Sequence, residues 1–176
     1  AYEVAAGEPS LRDDAIGVFE SAAVRMERAA QFMAMRGDAA SAWAWKWRLG
    51  RFVHRELQDR GASVMAEVLA SGWTSPQGRE AMTLETAEAL LRAGKRAEAF
   101  ALLRPIAEGR SGPRDGADAA YWRAWTMMLE VLEAENDAGQ RTGAIRAHLL
   151  RLKGLDQELG GPSTRKRLLA VEARLE

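Results

Sequence analysis

Almost the whole of this sequence consists of strong helix formers, interrupted at glycine and proline. Alanine, leucine, glutamate and arginine dominate the segments between these breaks, and β-branched residues are sparse and never clustered. A sheet needs strands rich in β-branched and aromatic residues. The one alternating aromatic run, Trp43, Trp45 and Trp47, lies inside a helix-forming segment. The sequence therefore predicts an all-α fold.

The overall composition limits the partners that the chain can attract. With 176 residues, of which 47% are hydrophobic, the chain can bury the core of one ordinary domain. The 25 basic and 25 acidic residues cancel, so no overall field attracts nucleic acid or an anionic membrane. Cysteine is absent, which excludes disulfides and thiolate zinc sites. No apolar run approaches the ~20 residues that span a bilayer, so we expect no membrane span.

The chain begins AYEVAAGEPS, without methionine and without a charged and then apolar leader. We expect from this a processed chain or a piece of a longer protein, with residues 1–9 as a flexible N-terminal segment. The sequence favours the cytoplasm and is also compatible with an exported chain after processing.

Glycine and proline divide the remainder into about eight helices in a single domain over 10–176. Ser10 and Asp13 have the spacing of a capping box and predict the start of a helix over 10–36. Its apolar residues from Ile16 to Met33 form a heptad stripe, which predicts packing on a helical domain or a contact between two copies. The other helices are expected over 39–59, 61–73, 80–93, 95–109, 117–135, 141–155 and 163–175.

Two internal sequence repeats relate these helices to one another. Gly61 and Gly94 are 33 residues apart, the length of one helix–turn–helix unit of a solenoid, and an alanine follows each after five residues. The second, longer repeat pairs DAASAWAWKWRL from Asp38 with DAAYWRAWTMML from Asp118, 80 residues later. Its tryptophans, Trp45 and Trp125, fall at the same place. Each copy is predicted to begin a long helix.

The segment AEALLRAGKRAEAFALLRPI, which includes Gly94 and Ala99, resembles the tetratricopeptide repeat (TPR) family. The aromatic opening AAYWRAWTMMLEVL is similar to the start of a first helix in that family. The span from Gly94 to Gly139, 45 residues, is longer than the family's unit. The resemblance implies a TPR-like right-handed α-solenoid, with hairpins over 38–153 and a capping helix over 163–175. It implies binding of a protein or peptide in a concave groove, without catalysis.

Residues that would carry catalysis or bind a metal are few. His54 and His148 are the only histidines, and neither has a metal-ligand spacing such as H-E-x-x-H. The chain has no nucleophile elbow, P-loop or dinucleotide-binding glycine motif. We therefore expect a protein that is not an enzyme and that needs no cofactor or metal.

Clusters of charge in this sequence are typical of solvated helix faces. The acids at 13–14 and 133–135 can pair for acid–base chemistry, but a solvated face is the simpler interpretation. The basic residues of the C-terminal third flank an apolar stripe of Ile145, Leu149 and Leu152, as in a packed amphipathic helix. Aromatic residues that would stack on bases are absent there, so we do not expect nucleic-acid binding.

The tryptophans at 43, 45 and 47 point to two sides of a helix. Trp45 falls in line with Leu49 and Val53 and is predicted to be a core residue. Trp43 and Trp47 lie on another side, where they either pack on the first helix or line a groove for a partner. The candidate partner-binding residues are Trp43, Trp47, Arg48, His54 and Tyr121.

Three functions fit these observations. The sequence favours a TPR-like scaffold or adaptor that mediates protein–protein interaction or the assembly of a larger complex. The second hypothesis is an accessory helical domain, or a fragment, of a larger enzyme or regulator. The third is a helical protein that binds a small molecule in a tryptophan-lined pocket.

Overall fold

A computed structural model describes residues 12–114 and 118–175 of the chain. All the regular structure in these residues is helical, with eight α-helices, one short 3-10 helix and no strand, which confirms the all-α prediction. The predicted capping box at Ser10 and the segment 1–9 lie outside them. The helices are α1 Arg12–Met35, α2 Ala39–Val53, α3 Gln58–Ala70, α4 Arg79–Arg92, α5 Arg96–Ala107, α6 Ala119–Ala134, α7 Thr142–Leu155 and α8 Pro162–Ala173.

The break between α2 and α3 differs from the prediction. The expected helix over 39–59 ends at Val53, and α3 already begins at Gln58, so Gly61 lies inside a helix rather than in front of it. Gly61 is buried where α3 crosses the end of α2, and a Cβ built there would lie 2.3 Å from the Cα of His54. The glycine therefore permits the close approach of two helices.

Gly61 and Gly94 have different structural roles. Gly94 lies in the turn between α4 and α5 and has a φ of +76°, in the left-handed region that favours glycine. Gly61 lies in the first turn of α3. The spacing of 33 residues therefore does not join two equivalent turns.

Both copies of the longer repeat lie at the start of a helix in the structure. The Asp38 carboxylate accepts a hydrogen bond from the Ser41 N–H at 3.0 Å and caps α2. The Asp118 carboxylate accepts one from the Tyr121 N–H at 3.1 Å and caps α6. The prediction that both copies begin a helix is confirmed.

Contacts within the chain group the described residues into two compact units, the first ending at Pro76 and the second beginning at Gln77. The single domain over 10–176 stays a prediction. In the first unit α1 packs on α2 and α2 on α3. The core between α1 and α2 includes Phe19, whose ring stacks on Phe52 with 4.7 Å between centroids. In the heptad stripe of α1, Phe19, Ala23 and Ala30 are buried, Met26 and Met33 are half-buried, and Ile16 is exposed.

The second unit is built around α6, which contacts α4, α5, α7 and α8. Its central side chains are buried, and Trp122 and Trp125 are almost completely so. The imidazole of His148 on α7 lies 4.9 Å from the Trp125 ring, and the Arg151 guanidinium lies 5.5 Å from it. Helix α7 therefore covers the tryptophan that matches Trp45.

Asp118 also ties the start of α6 to the preceding segment. Its carboxylate accepts the Arg114 N–H at 3.0 Å and an Arg110 guanidinium N–H at 2.8 Å. Both arginines also bind Glu80 on α4. Burial opposes the ionisation of Asp118, but these hydrogen bonds, that from Tyr121 and the two guanidinium charges together hold its pKa below the ordinary value.

The Asp118→Ala substitution is expected to lower the free energy of unfolding by about 1–2 kcal/mol at neutral pH, because it removes a helix cap and an acceptor for two arginines. A pKa lowered on folding adds stability above the unfolded value of about 3.9 and loses it as the pH falls through the folded value. The loss on substitution should therefore shrink in acid. Urea titrations at pH 7 and in acid measure this.

The Asp118→Asn variant separates the two contributions, because asparagine keeps the cap and loses the charge. We expect a smaller loss for it than for Asp118→Ala at neutral pH. An Asp118→Ala loss that is the same in acid and at pH 7 would show that the charge of Asp118 adds no stability.

Candidate partner-binding surface

An open groove lies between α1 and α2, with a volume of about 920 Å³. We call it the Trp45 groove. Its α1 side carries mostly small side chains, which leave the indole of Trp45 on α2 partly exposed. The lining residues are Gly17, Val18, Ser21, Ala22, Arg25, Met26 and Trp45.

Trp45 is a groove residue rather than the core residue that its alignment with Leu49 and Val53 predicts. Leu49 and Val53 are buried against Phe19 and Ala23 of α1, whereas Trp45 is only half-buried. The Arg48 guanidinium lies over the Trp45 ring, 5.1 Å from its centroid, in a cation–π contact. The prediction of a core role for Trp45 is therefore wrong.

The outer face of α1, which we define as Val18, Arg25 and Phe32, shares Val18 and Arg25 with this groove and extends along the helix to Phe32. These residues follow one another at intervals of seven and lie within about 40° of one another around the axis. Val18 is 51% exposed and Phe32 is 49% exposed. The Arg36 guanidinium lies 5.6 Å from the Phe32 ring. The face therefore offers apolar surface and positive charge together.

Among the residues that the structure describes, the charged side chains that line the groove or lie over Trp45 are arginines. Arg25, Arg28 and Arg48 have no carboxylate partner among the residues that the structure describes. Helix α2 contains no Asp or Glu between its first and last residues. On α1, Glu20 and Glu27 lie roughly 140° and 160° around the axis from Arg25. A chain with no net charge thus presents a locally basic groove.

A second, smaller pocket lies between the same two helices, close to the turn that joins them, with a volume of about 370 Å³. Trp43 forms one wall. The Lys46 ammonium lies 4.7 Å from the centroid of the Trp43 ring and pairs with Glu67 of α3 at 2.5 Å. The lining residues are Ala30, Gln31, Ala34, Gly37, Ala39, Ala42, Trp43 and Lys46.

Two of the five candidate partner-binding residues reach the surface beside these cavities. Trp43 is half-buried in the smaller pocket, and Arg48 is exposed above Trp45. His54 is half-buried at the turn after α2, where its Nδ1 lies 3.4 Å from the Gln58 carbonyl oxygen. The structure therefore gives His54 a position beside the α2–α3 crossing and not in either cavity.

The other two candidates are buried. Trp47 is 5% exposed and lies on the same side of α2 as Gly50, which approaches Met65 of α3. The second apolar side of α2 is therefore filled by α3. Tyr121 is fully buried within the second unit. Both side chains are covered by this chain's own helices, and partner binding through Trp47 and Tyr121 stays a prediction.

Sequence reasoning missed Val18, Arg25 and Trp45 as members of one site. The available signals were the small residues on one side of α1 and the absence of acids from α2. Neither signal shows which tryptophan faces the small residues, because that depends on how α1 and α2 pack.

The rest of the described chain offers no assembled metal site or membrane-spanning helix. No three His, Asp or Glu side chains in these residues lie close enough together to hold a metal ion. No helix among them combines the length and the apolar character needed to cross a bilayer. Two basic residues of α7 and α8 form ion pairs between helices, Lys153 with Glu172 and Arg167 with Glu130.

Comparisons of the chain with protein-family models, with curated proteins and with solved structures give no match. The resemblance to the tetratricopeptide repeat family therefore stays a prediction from the sequence.

Proposed function

We propose that this protein is a non-enzymatic scaffold or adaptor with a TPR-like helical framework, and that it binds another protein through α1 and α2. The observation that supports this proposal is the Trp45 groove, an open apolar surface beside three arginines that lack a carboxylate partner in the described chain. Tryptophan and arginine are enriched among the residues that dominate binding energy at protein interfaces.

The amount of exposed apolar surface on α1 also supports a protein partner. Val18, Phe32 and Met35 are 51%, 49% and 80% exposed on this one helix. Single exposed apolar residues are ordinary, but several along one helix that borders an open groove favour an interaction surface. A partner that covers Val18 and the groove gains the hydrophobic free energy of this surface together with that of Trp45.

The Val18→Glu substitution tests the proposal. It places a charge on the apolar wall of the groove at an exposed position, so the fold is expected to change in stability by no more than about 0.5–1 kcal/mol. The tagged native chain and the variant are expressed in the cells that make the protein, and the co-purified proteins are compared. We expect a protein that the native chain retains and the variant loses.

Leu150→Glu is the matched control, because Leu150 is 74% exposed on α7 of the second unit. It makes the same chemical change on a helix that does not line the groove and should retain the partner. Equal recovery of every co-purified protein by the native chain and both variants would contradict the proposed role of α1 and α2.

A further inference from the structure

Building on the proposed function, we infer that the occupant of the Trp45 groove is an acidic amphipathic helix of a partner protein. Its apolar residues would lie against Val18, Met26 and Trp45, and its carboxylates would pair with Arg25, Arg28 and Arg48. Three observations support this choice of occupant: the shape of the surface, its charge, and the way in which the chain covers the matching tryptophan.

The shape fits a helix that lies along α1. Val18, Arg25 and Phe32 follow one another at heptad spacing, which is the repeat by which one helix contacts another along its length. From Val18 to Phe32 the face extends over about 21 Å, or four helical turns. Side chains at Gly17, Ser21 and Ala22 are small, so a neighbouring helix can approach α1 closely beside Trp45.

The charge selects acidic residues on that helix. Arg25 lines the groove, Arg48 lies over Trp45, and Arg28 lies one turn beyond Arg25. None of the three has a carboxylate partner in the part of the chain that the structure describes. A basic partner would place its positive charges against these arginines. Like charges across an interface weaken binding and exclude wrong partners. Carboxylates on the incoming helix supply the missing partners, and Arg pairs with them bidentately.

In the second unit, the tryptophan at the matching helix start is covered by another helix of the same chain. Trp125 matches Trp45 in the longer repeat, and α7 places His148 and Arg151 against its ring while its own apolar residues Ile145 and Leu149 are buried. There the cation over the ring, Arg151, belongs to the covering helix. At Trp45 the cation, Arg48, already belongs to α2. A helix that covers Trp45 therefore needs an apolar face like that of α7, but with acidic residues in place of the arginine.

Two displayed peptide libraries test this inference. Both contain helical peptides of about 18 residues with the same randomised apolar face, and they differ only in flanking positions that are all Glu or all Lys. The full chain is the bait. We expect binders from the Glu library, with affinities reduced at least about tenfold by the double substitution Arg25→Glu, Arg48→Glu and by added salt.

The control bait carries Arg96→Glu and Lys166→Glu, two exposed cations of the second unit, so that the net charge changes equally. Binders from the Glu library should keep their affinity for it. The inference is overturned if binders come equally from both libraries, if no peptide binds, or if the two double variants act alike. A dimer of the native chain that Arg25→Glu, Arg48→Glu dissociates would identify a second copy as the occupant and overturn it too.

The outcome separates this inference from the proposed function. A native partner that is lost with Val18→Glu but binds Arg25→Glu, Arg48→Glu normally would support the scaffold role and refute the acidic helix. If both variants keep the partner, the scaffold role of α1 and α2 and the acidic helix are both refuted.

Discussion

Replacing Trp125 by alanine is expected to lower the free energy of unfolding of the second unit by about 3–5 kcal/mol. The indole is fully buried in α6, and α7 contributes the His148 and Arg151 contacts that cover it. Alanine at this position leaves a cavity that helices on several sides of α6 can close only in part. Urea unfolding followed by circular dichroism measures the loss.

Trp45→Ala is the matched substitution in the other copy of the longer repeat. Trp45 is half-buried at the wall of an open groove, so we expect a loss of only about 1 kcal/mol in the free energy of unfolding. The two substitutions delete the same side chain at the same place in two matching helix openings. Equal losses, or a larger loss for Trp45→Ala, would show that Trp45 is a core residue after all.

The Gly61→Ala substitution is expected to destabilise the first unit by about 1–3 kcal/mol, although alanine is the better helix former. The added Cβ would lie 2.3 Å from the Cα and 2.4 Å from the N of His54. Both are backbone atoms, so the clash is relieved only if α3 moves away from the end of α2. The midpoint of urea unfolding reports the change.

Gly143→Ala provides the comparison for Gly61→Ala. Gly143 lies in α7 with no atom within 4 Å of a Cβ built there, so alanine should stabilise by about 0.5–1 kcal/mol. Opposite signs for the two substitutions support a close crossing of α2 and α3 at Gly61. Stabilisation by both would contradict that crossing.

Most helices could be predicted from the sequence because their starts and ends depend on neighbouring residues. Asp38 and Asp118 cap the helices that follow them, and Gly94 provides the left-handed turn before α5. The break after Val53 could not be predicted in this way, because 54–57 contains neither glycine nor proline. The contact between His54 and Gly61 shows that the path of the chain there depends on packing between helices.

The candidate site could be predicted only in part. The sequence shows that Trp45 and Trp47 lie on two different sides of α2, and the structure agrees. Which side is covered depends on the neighbouring helices. Gly50 and Gly61 let α3 come close on the side of Trp47, whereas small residues of α1 leave Trp45 open. Both sides of α2 are apolar, so hydrophobic patterning alone cannot distinguish them.

The affinity of the purified chain for the partner that it retains in cells tests the central claim most directly. Isothermal titration of the native chain, Val18→Glu and Leu150→Glu against that partner gives three dissociation constants. The proposed role of α1 and α2 predicts at least about a tenfold weaker constant for Val18→Glu and a native constant for Leu150→Glu. A native constant for Val18→Glu, or an equal loss for both variants, would contradict it.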